Sequence, residues 1–371
     1  EAGADARFGG QLRVRGASIA QVSHIAIEGF GQRGRLARYP FYWDRVADGS
    51  RSYLASSAIV DSRQRGIVVN RSDALLHINN AVVGTYGHAV MLESSVERRN
   101  VFERNLLLGT QPIPMADRDA ALDFEFEPVS AADASNGGRA RVAGFWISNA
   151  HNRLTNNHVA GVLHGNGYWF MEGAHSRFRD AEFCIPGPRT LNDNGGCHLG
   201  YNAAFESLRA ASTFAEFRNN TVHTVRNDAA WGETHFTANQ NGIGLLLDRV
   251  SFFGSTPPVI EGLRAWKIGT AAVWGPMGHG GGTPGVARDA PLAQRSAVIR
   301  DLLAADVRVA VQNREHNTEL AVRGGVLWGM TDNQPPGRSA ADYGEGFWKA
   351  MGNHNDDLRV MPLQVFPFIF G

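Results

Sequence analysis

The chain has 371 residues, with 36 Lys plus Arg balanced by 36 Asp plus Glu, and is 43% hydrophobic and 9% aromatic. This composition excludes an intrinsically disordered chain. Zero net charge leaves no global field to draw in nucleic acid or an anionic membrane surface. No run of 18 apolar residues is present, so nothing in the sequence reads as a membrane span. Lys267 and Lys349 are the only lysines. The remaining basic charge is Arg, the better bidentate partner for carboxylate and sulfate, although a GC-rich coding sequence is the plainer cause. The chain begins Glu-Ala-Gly-Ala-Asp, without an initiator Met or a signal peptide, and so reads as processed or excised from a longer precursor.

Short apolar runs of strand length follow one another along the chain, and no amphipathic helical stretch separates them. A polar residue, any residue and an apolar residue recur in order. They do so at Ser57-Ala58-Ile59, Asn80-Ala81-Val82, Asn105-Leu106-Leu107, Asn157-His158-Val159 and Asn220-Thr221-Val222. The steps are 23, 25, 52 and 63 residues; the first two are one coil of a three-stranded β-helix each, and the longer two fit paired coils carrying an inserted loop. A second unit begins with Gly, at Gly66-Ile67-Val68-Val69, Gly87-His88-Ala89-Val90, Gly144-Phe145-Trp146-Ile147, Gly167-Tyr168-Trp169-Phe170 and Gly242-Ile243-Gly244-Leu245. Gly at that corner predicts a left-handed turn between strands. Asn at the other predicts a ladder in which each amide bonds the neighbouring coil. The predicted fold is all-β, a single right-handed parallel β-helix over residues 1–371.

Segments 111–141, 173–214, 228–240, 276–291 and 333–357 are rich in Gly, Pro, Asn and charge and read as loops leaving the solenoid wall. Cys184 and Cys197 lie in one of them, with twelve residues between them. A bridge there would stabilise by about 3 kcal/mol on the chain-entropy model. It points to an exported protein, secreted, cell-surface or periplasmic; two free thiols are the alternative.

Four blocks, in order, resemble a known family. They are Arg38-Tyr39-Pro40-Phe41-Tyr42-Trp43-Asp44, the run from Gly87 through Glu93-Ser94-Ser95 to Asn100, Phe145-Trp146-Ile147-Ser148-Asn149-Ala150-His151-Asn152, and Phe217-Arg218-Asn219-Asn220-Thr221-Val222-His223. They are similar to the β-helix region of the family of cell-migration-inducing hyaluronan-binding protein, transmembrane protein 2 and fibrocystin-L, over roughly Phe8 to Trp274. The resemblance implies a right-handed parallel β-helix of extracellular type and, for the first two relatives, hyaluronan depolymerisation. Two departures stand out. Tyr42, Trp43 and Asp44 occupy the place of the family's His-Trp-His, and Glu93-Ser94-Ser95 that of its Glu-Asp-Gly. The family's upstream G8 domain is not in this sequence. A solenoid opened near Phe8 would expose its core cross-section, so another chain or precursor segment is expected to cover that end, with the apolar Pro362–Phe370 lying against the solenoid or a partner.

Glu93, Glu172 and Asp248 fall six, five and six residues after a strand Gly. Coils about 4.8 Å apart would bring such carboxylates within about 5–10 Å, as in glycosidases, or let them hold a divalent cation such as Ca2+ against a uronate; solvated turn carboxylates are the bland reading. Tyr42, Trp43 and Asp44 follow Pro40 and read as a loop, with Trp43 to stack on a sugar and Tyr42 and Asp44 as acid and base. His88 stands at a strand start as a further acid–base candidate. Arg38, Arg98, His151 and Trp169 are candidates to bind an acidic polysaccharide. The leading expectation is a secreted depolymerase of such a polymer, hydrolase or lyase. Its rivals are a non-catalytic extracellular scaffold or adhesin and a subunit of a larger assembly.

Overall fold

The computed structural model describes residues 8–46, 48–93, 96–113, 142–171, 214–226, 242–248, 258–277, 296–312 and 319–328. Among them there is no helix, and every pairing between strands is parallel. The strands stack into three faces. The first holds β1 (Leu12–Arg15), β4 (Phe41–Asp44), β7 (Ile67–Asn70), β10 (Val90–Leu92), β13 (Val142–Ile147), β16 (Gly165–Met171) and β19 (Ile243–Asp248). The second holds β2 (Gln21–Ser23), β5 (Tyr53–Ala55), β8 (Leu76–Ile78), β11 (Val101–Glu103), β14 (Arg153–Thr155), β17 (Glu216–Arg218) and β20 (Val259–Glu261). The third holds β3 (Ala26–Glu28), β6 (Ala58–Ser62), β9 (Ala81–Tyr86), β12 (Leu106–Gln111), β15 (His158–Leu163) and β18 (Thr221–Arg226). The last coils are drawn from the long strands β21 (Arg264–Met277), β22 (Ser296–Gln312) and β23 (Glu319–Trp328). The molecule is a parallel β-helix.

Alternation explains which residues fill it. Each second-face strand turns its middle residue inward, including Leu54, Phe102, Leu154 and Phe217. One polar side chain joins them. His77 accepts a hydrogen bond at Nε2 from Trp43 Nε1 (2.9 Å) and stacks on Phe102 with ring centroids 4.6 Å apart. The expected amide ladder stands at the corner between the second and third faces. Asn80 Nδ2 donates to Asn105 Oδ1 (3.0 Å), Asn105 to Asn157 (3.0 Å) and Asn157 to Asn220 (3.1 Å). The residue before each Asn is left-handed, at φ 58° for Asn79 and 55° for Arg104.

The Gly corner is different from the prediction. Gly66, Gly144 and Gly167 align with one another and with Ala89 and Gly244, and they are glycine for want of space. A Cβ on Gly144 would lie 2.4 Å from Val159 Cγ1, and one on Gly167 would lie 2.3 Å from Val222 Cγ2. Gly87, at φ 89°, and Gly242, at 73°, are left-handed but stand two residues earlier in the register. Gly167→Ala is therefore expected to cost about 1–3 kcal/mol by overpacking; a urea midpoint equal to wild type would contradict this.

Segment 114–141 lies outside the described residues, as do Cys184 and Cys197. The stack is nonetheless continuous across 114–141: β12 ends at Gln111, and β13 resumes at Val142 in parallel register with both β10 and β16. Among the described residues no helix is long and apolar enough to cross a membrane.

Candidate functional site

The outward side of the first face carries two rows. One runs Arg13, Tyr42, Val68, Met91, Trp146, Trp169 and Leu246; the next runs Arg15, Asp44, Asn70, Glu93 and Ser148, and the backbone register continues through Met171 and Asp248. Pro40 precedes β4 at a position where its missing N–H costs no ladder bond, and its carbonyl accepts from Leu12 N–H (2.8 Å). Tyr42, Trp43 and Asp44 are thus strand, which corrects the expected loop. Alternation sends Phe41 and Trp43 inward and Tyr42 and Asp44 outward. Trp43 is enclosed in the core against His77, so it is no sugar platform.

Glu93 is the centre of the polar row. Its Oε1 accepts from Tyr39 Oη (2.7 Å), and its Oε2 accepts from Tyr42 Oη (3.1 Å) and Asn70 Nδ2 (2.7 Å). Arg65 donates from Nη1 to Tyr39 Oη (2.7 Å) and stands 3.9 Å from Glu93 Oε1, so a buried guanidinium balances the carboxylate. Glu93 is 7% exposed. Burial first, then the Glu93 and Asp44 carboxylates, push the Tyr42 phenol far above its ordinary value. Tyr42 therefore keeps its proton, which it shares as a hydrogen bond with Glu93 Oε2. Such a pair, an acceptor carboxylate against a protonated phenol, is the minimum equipment for acid–base chemistry.

The carboxylates of the polar row do not cluster as expected. Asp248 shares the backbone register with Glu93, but Ser148 and Met171 intervene, a separation of three coils or about 14 Å. Glu172 lies outside the described residues. Asp44 is two coils away on the other side, about 10 Å, and is held by Arg13, Arg15 and Arg45. Among the described residues no group of three or more His, Cys, Asp or Glu could hold a metal.

His88 is buried. Its Nδ1 accepts from Ala143 N–H (2.9 Å), and its ring packs 4.8 Å from Trp146. Burial, and secondarily Arg65, hold it well below the ordinary imidazole range, so it stays neutral. Trp146 and Trp169 continue the stack with centroids 4.7 Å apart. At 1% exposure Trp169 presents no face to solvent, which corrects its expected role in sugar binding.

The CEMIP β-helix family model matches residues 7–230. The chain belongs to the CEMIP β-helix family. Cell surface hyaluronidase of Danio rerio is 29% identical over 182 residues, 44% of this chain and 13% of that protein. Human fibrocystin-L is 24% identical over 281 residues, 74% of this chain and 6% of that protein. Human cell surface hyaluronidase CEMIP2 is 28% identical over 182 residues, again 44% of this chain and 13% of that protein. The chain therefore spans a small fraction of the length of these relatives.

In this CEMIP β-helix the other candidates stand apart from Glu93. Arg98 pairs with Asp73 at 3.8 Å, the kind of surface ion pair that contributes little. His151 sits at a corner, its carbonyl accepting from Arg99 N–H (2.7 Å). Arg38 is exposed in the turn before β4. The structure adds three residues that sequence reasoning passed over: Tyr39, Arg65 and Asn70. Tyr39 was within reach, since it lies in the same block as Tyr42. Asn70 required the register: counting from Gly87 hides that Glu93 and Asn70 occupy equivalent places, because Gly66 aligns with Ala89.

Proposed function

We propose that this chain is the carbohydrate-active β-helix of an extracellular protein, and that it depolymerises an acidic polysaccharide at Glu93. The observation that carries this reading is the Glu93 carboxylate set against the Tyr42 and Tyr39 hydroxyls, with Asn70 and Arg65 beside it. In this reading Glu93 takes a proton and Tyr42 gives one, while Arg65 and Asn70 supply positive charge and donors for a developing anion. Relatives named cell surface hyaluronidase support the substrate class and the extracellular setting.

The test is incubation with a panel of hyaluronan, chondroitin sulfate, alginate and pectate, reading both absorbance of unsaturated uronates and new reducing ends. Unsaturated product assigns elimination, and reducing ends alone assign hydrolysis. Tyr42→Phe is expected to lower turnover by about 10²-fold or more while costing about 1 kcal/mol of stability. Glu93→Gln is expected to do the same to turnover, at the larger cost of about 3 kcal/mol for leaving Arg65 without its carboxylate, so it is assayed well below its melting temperature. A Glu93→Gln variant as active as wild type would remove Glu93 from the site.

A second reading is favoured by the closure of the Glu93 network, which satisfies both carboxylate oxygens within the protein, and by the long match to fibrocystin-L. In that reading the chain is a non-catalytic extracellular scaffold that binds carbohydrate. Binding of a panel polymer with no product under any condition would select it.

A further inference from the structure

The outward side of the third face is apolar where that of the second is charged. Outward residues of the second face include Glu103, Arg153, Glu216, Arg218 and Glu261. On the third face two outward rows start Ala58, Ala81, Leu106 and Val60, Val83, Leu108, and all these side chains are half-exposed. The rows continue as His158 and Ala160 on β15, then as Thr221 and His223 on β18. From β6 to β18 neither row contains Lys, Arg, Asp or Glu. Burial lowers both imidazoles, so they add no charge at pH 7. Charge returns at the two ends of the face with opposite sign. Glu28 and Asp61 are exposed at the end that comes first in the chain, while Arg226 and Arg264 are exposed and Lys267 half-exposed at the other. Asp61 and Lys267 stand in one row, at a left-handed kink where φ is 51° and 54°, in line with Gly84, Gly109, Gly161 and Thr224.

We propose that the third face is a dimer interface, occupied by a second copy of this chain whose solenoid axis runs antiparallel to the first. A contiguous apolar surface marks an association site, and a flat sheet face packs well on another. The charge at the ends selects the partner and its direction. Place the twofold axis parallel to the strands, between β12 and β15. Each row then faces its own counterpart with the coils in reverse order. Leu106 and Leu108 meet His158 and Ala160 of the second copy, Val83 meets His223, Val60 meets Trp266, and Asp61 comes over Lys267. A twofold along the solenoid axis would instead set Asp61 on Asp61 and Lys267 on Lys267, and like charges in contact are disfavoured. The face runs from β3 through β18 to the third-face parts of β21 and β22. It measures about 34 Å by about 18 Å. Two copies would bury about 1,200 Å2, the lower end of the range for a stable interface, which suits a dimer of micromolar affinity.

Sedimentation equilibrium of the full chain between about 1 and about 100 μM tests the interface, with the melting temperature of each variant as the check on folding. Wild type is expected to pass from monomer to dimer within this range. Leu108→Glu, at a half-exposed outward position, should keep the wild-type melting temperature and stay monomeric throughout. Asp61→Lys and Lys267→Asp should each weaken the dimer by about tenfold or more, because each sets like charges together. The two combined exchange the signs and should recover most of the affinity. The backbone admits the exchange, since each residue already occupies the same left-handed row. A wild type that is still monomeric at about 100 μM would overturn the interface, as would a Leu108→Glu variant that dimerises like wild type. A combined variant as weak as the single ones would overturn the antiparallel pairing of Asp61 with Lys267.

Discussion

Lowering the pH from 7 to 5 is expected to destabilise the folded chain by about 2 kcal/mol through His77 alone. Burial pushes the His77 imidazole down from 6.5 to about 3. The fold therefore holds it neutral while the unfolded chain protonates it. The stability contributed by the neutral ring is complete above pH 6.5 and is lost as the pH falls from there towards 3, at about 1.4 kcal/mol per unit. His88 adds a loss of the same sign, because burial also lowers it well below 6.5. Urea midpoints at the two pH values measure the effect. His77→Gln keeps an acceptor for Trp43 Nε1 but does not titrate, so its loss between pH 7 and 5 should be about 2 kcal/mol smaller than wild type's. A wild-type stability that is flat across the window would mean that His77 is reached by water and that the core at Trp43 and Phe102 is looser than described.

His77 also illustrates what the sequence could and could not tell. The corners were legible because a side-chain amide is needed at one fixed place in every coil, so Asn80, Asn105, Asn157 and Asn220 recur with the coil period whatever lies between them. Strand positions were legible as runs, as at Gly66–Val69 and Gly167–Phe170. The facing of a single residue within a run was not, since it depends on where the strand begins. Pro40 suggested a loop for Tyr42–Asp44, although a proline just before a strand is harmless. His77 and Arg65 drew no attention because a polar residue in a buried run looks like surface until its partner is known, and the partners are distant in sequence: Trp43 for His77, and Tyr39 and Glu93 for Arg65. The site was legible as far as Glu93 and Tyr42, each singled out separately. Their contact comes from stacking three coils, and counting from Gly87 misplaces the register by two residues, which keeps a side chain on its face but moves it past its true partner.

Asn105→Ala is expected to cost about 2–5 kcal/mol, more than almost any substitution on the solvent side of the solenoid. Its Oδ1 accepts from the Asn80 main-chain N–H (3.1 Å) and from Asn80 Nδ2 (3.0 Å), while its Nδ2 donates to the His77 carbonyl (3.0 Å) and to Asn157 Oδ1 (3.0 Å). Alanine leaves the Asn80 N–H and the His77 carbonyl short of a partner at a site closed to water, where each such group costs about 1–3 kcal/mol. The ladder also couples neighbours, because the Asn80 amide still bonds the Leu54 carbonyl but no longer has a rung below it to fix its orientation. Asn105→Ser should fall between Ala and wild type. Ser57 already occupies the first rung, where its Oγ accepts from Ile25 N–H (3.3 Å) and donates to the Ala55 carbonyl (2.8 Å), so a hydroxyl can replace part of the amide's work. Double variants of Asn105 and Asn157 should cost less than the sum of the singles, since each removes the other's partner. Guanidinium chloride unfolding of wild type, the two Asn105 variants, the Asn157 variant and the double variant measures all of this. Strict additivity, or an Asn105→Ala cost below about 1 kcal/mol, would mean that backbone pairing between coils, and not the amide column, holds the corner.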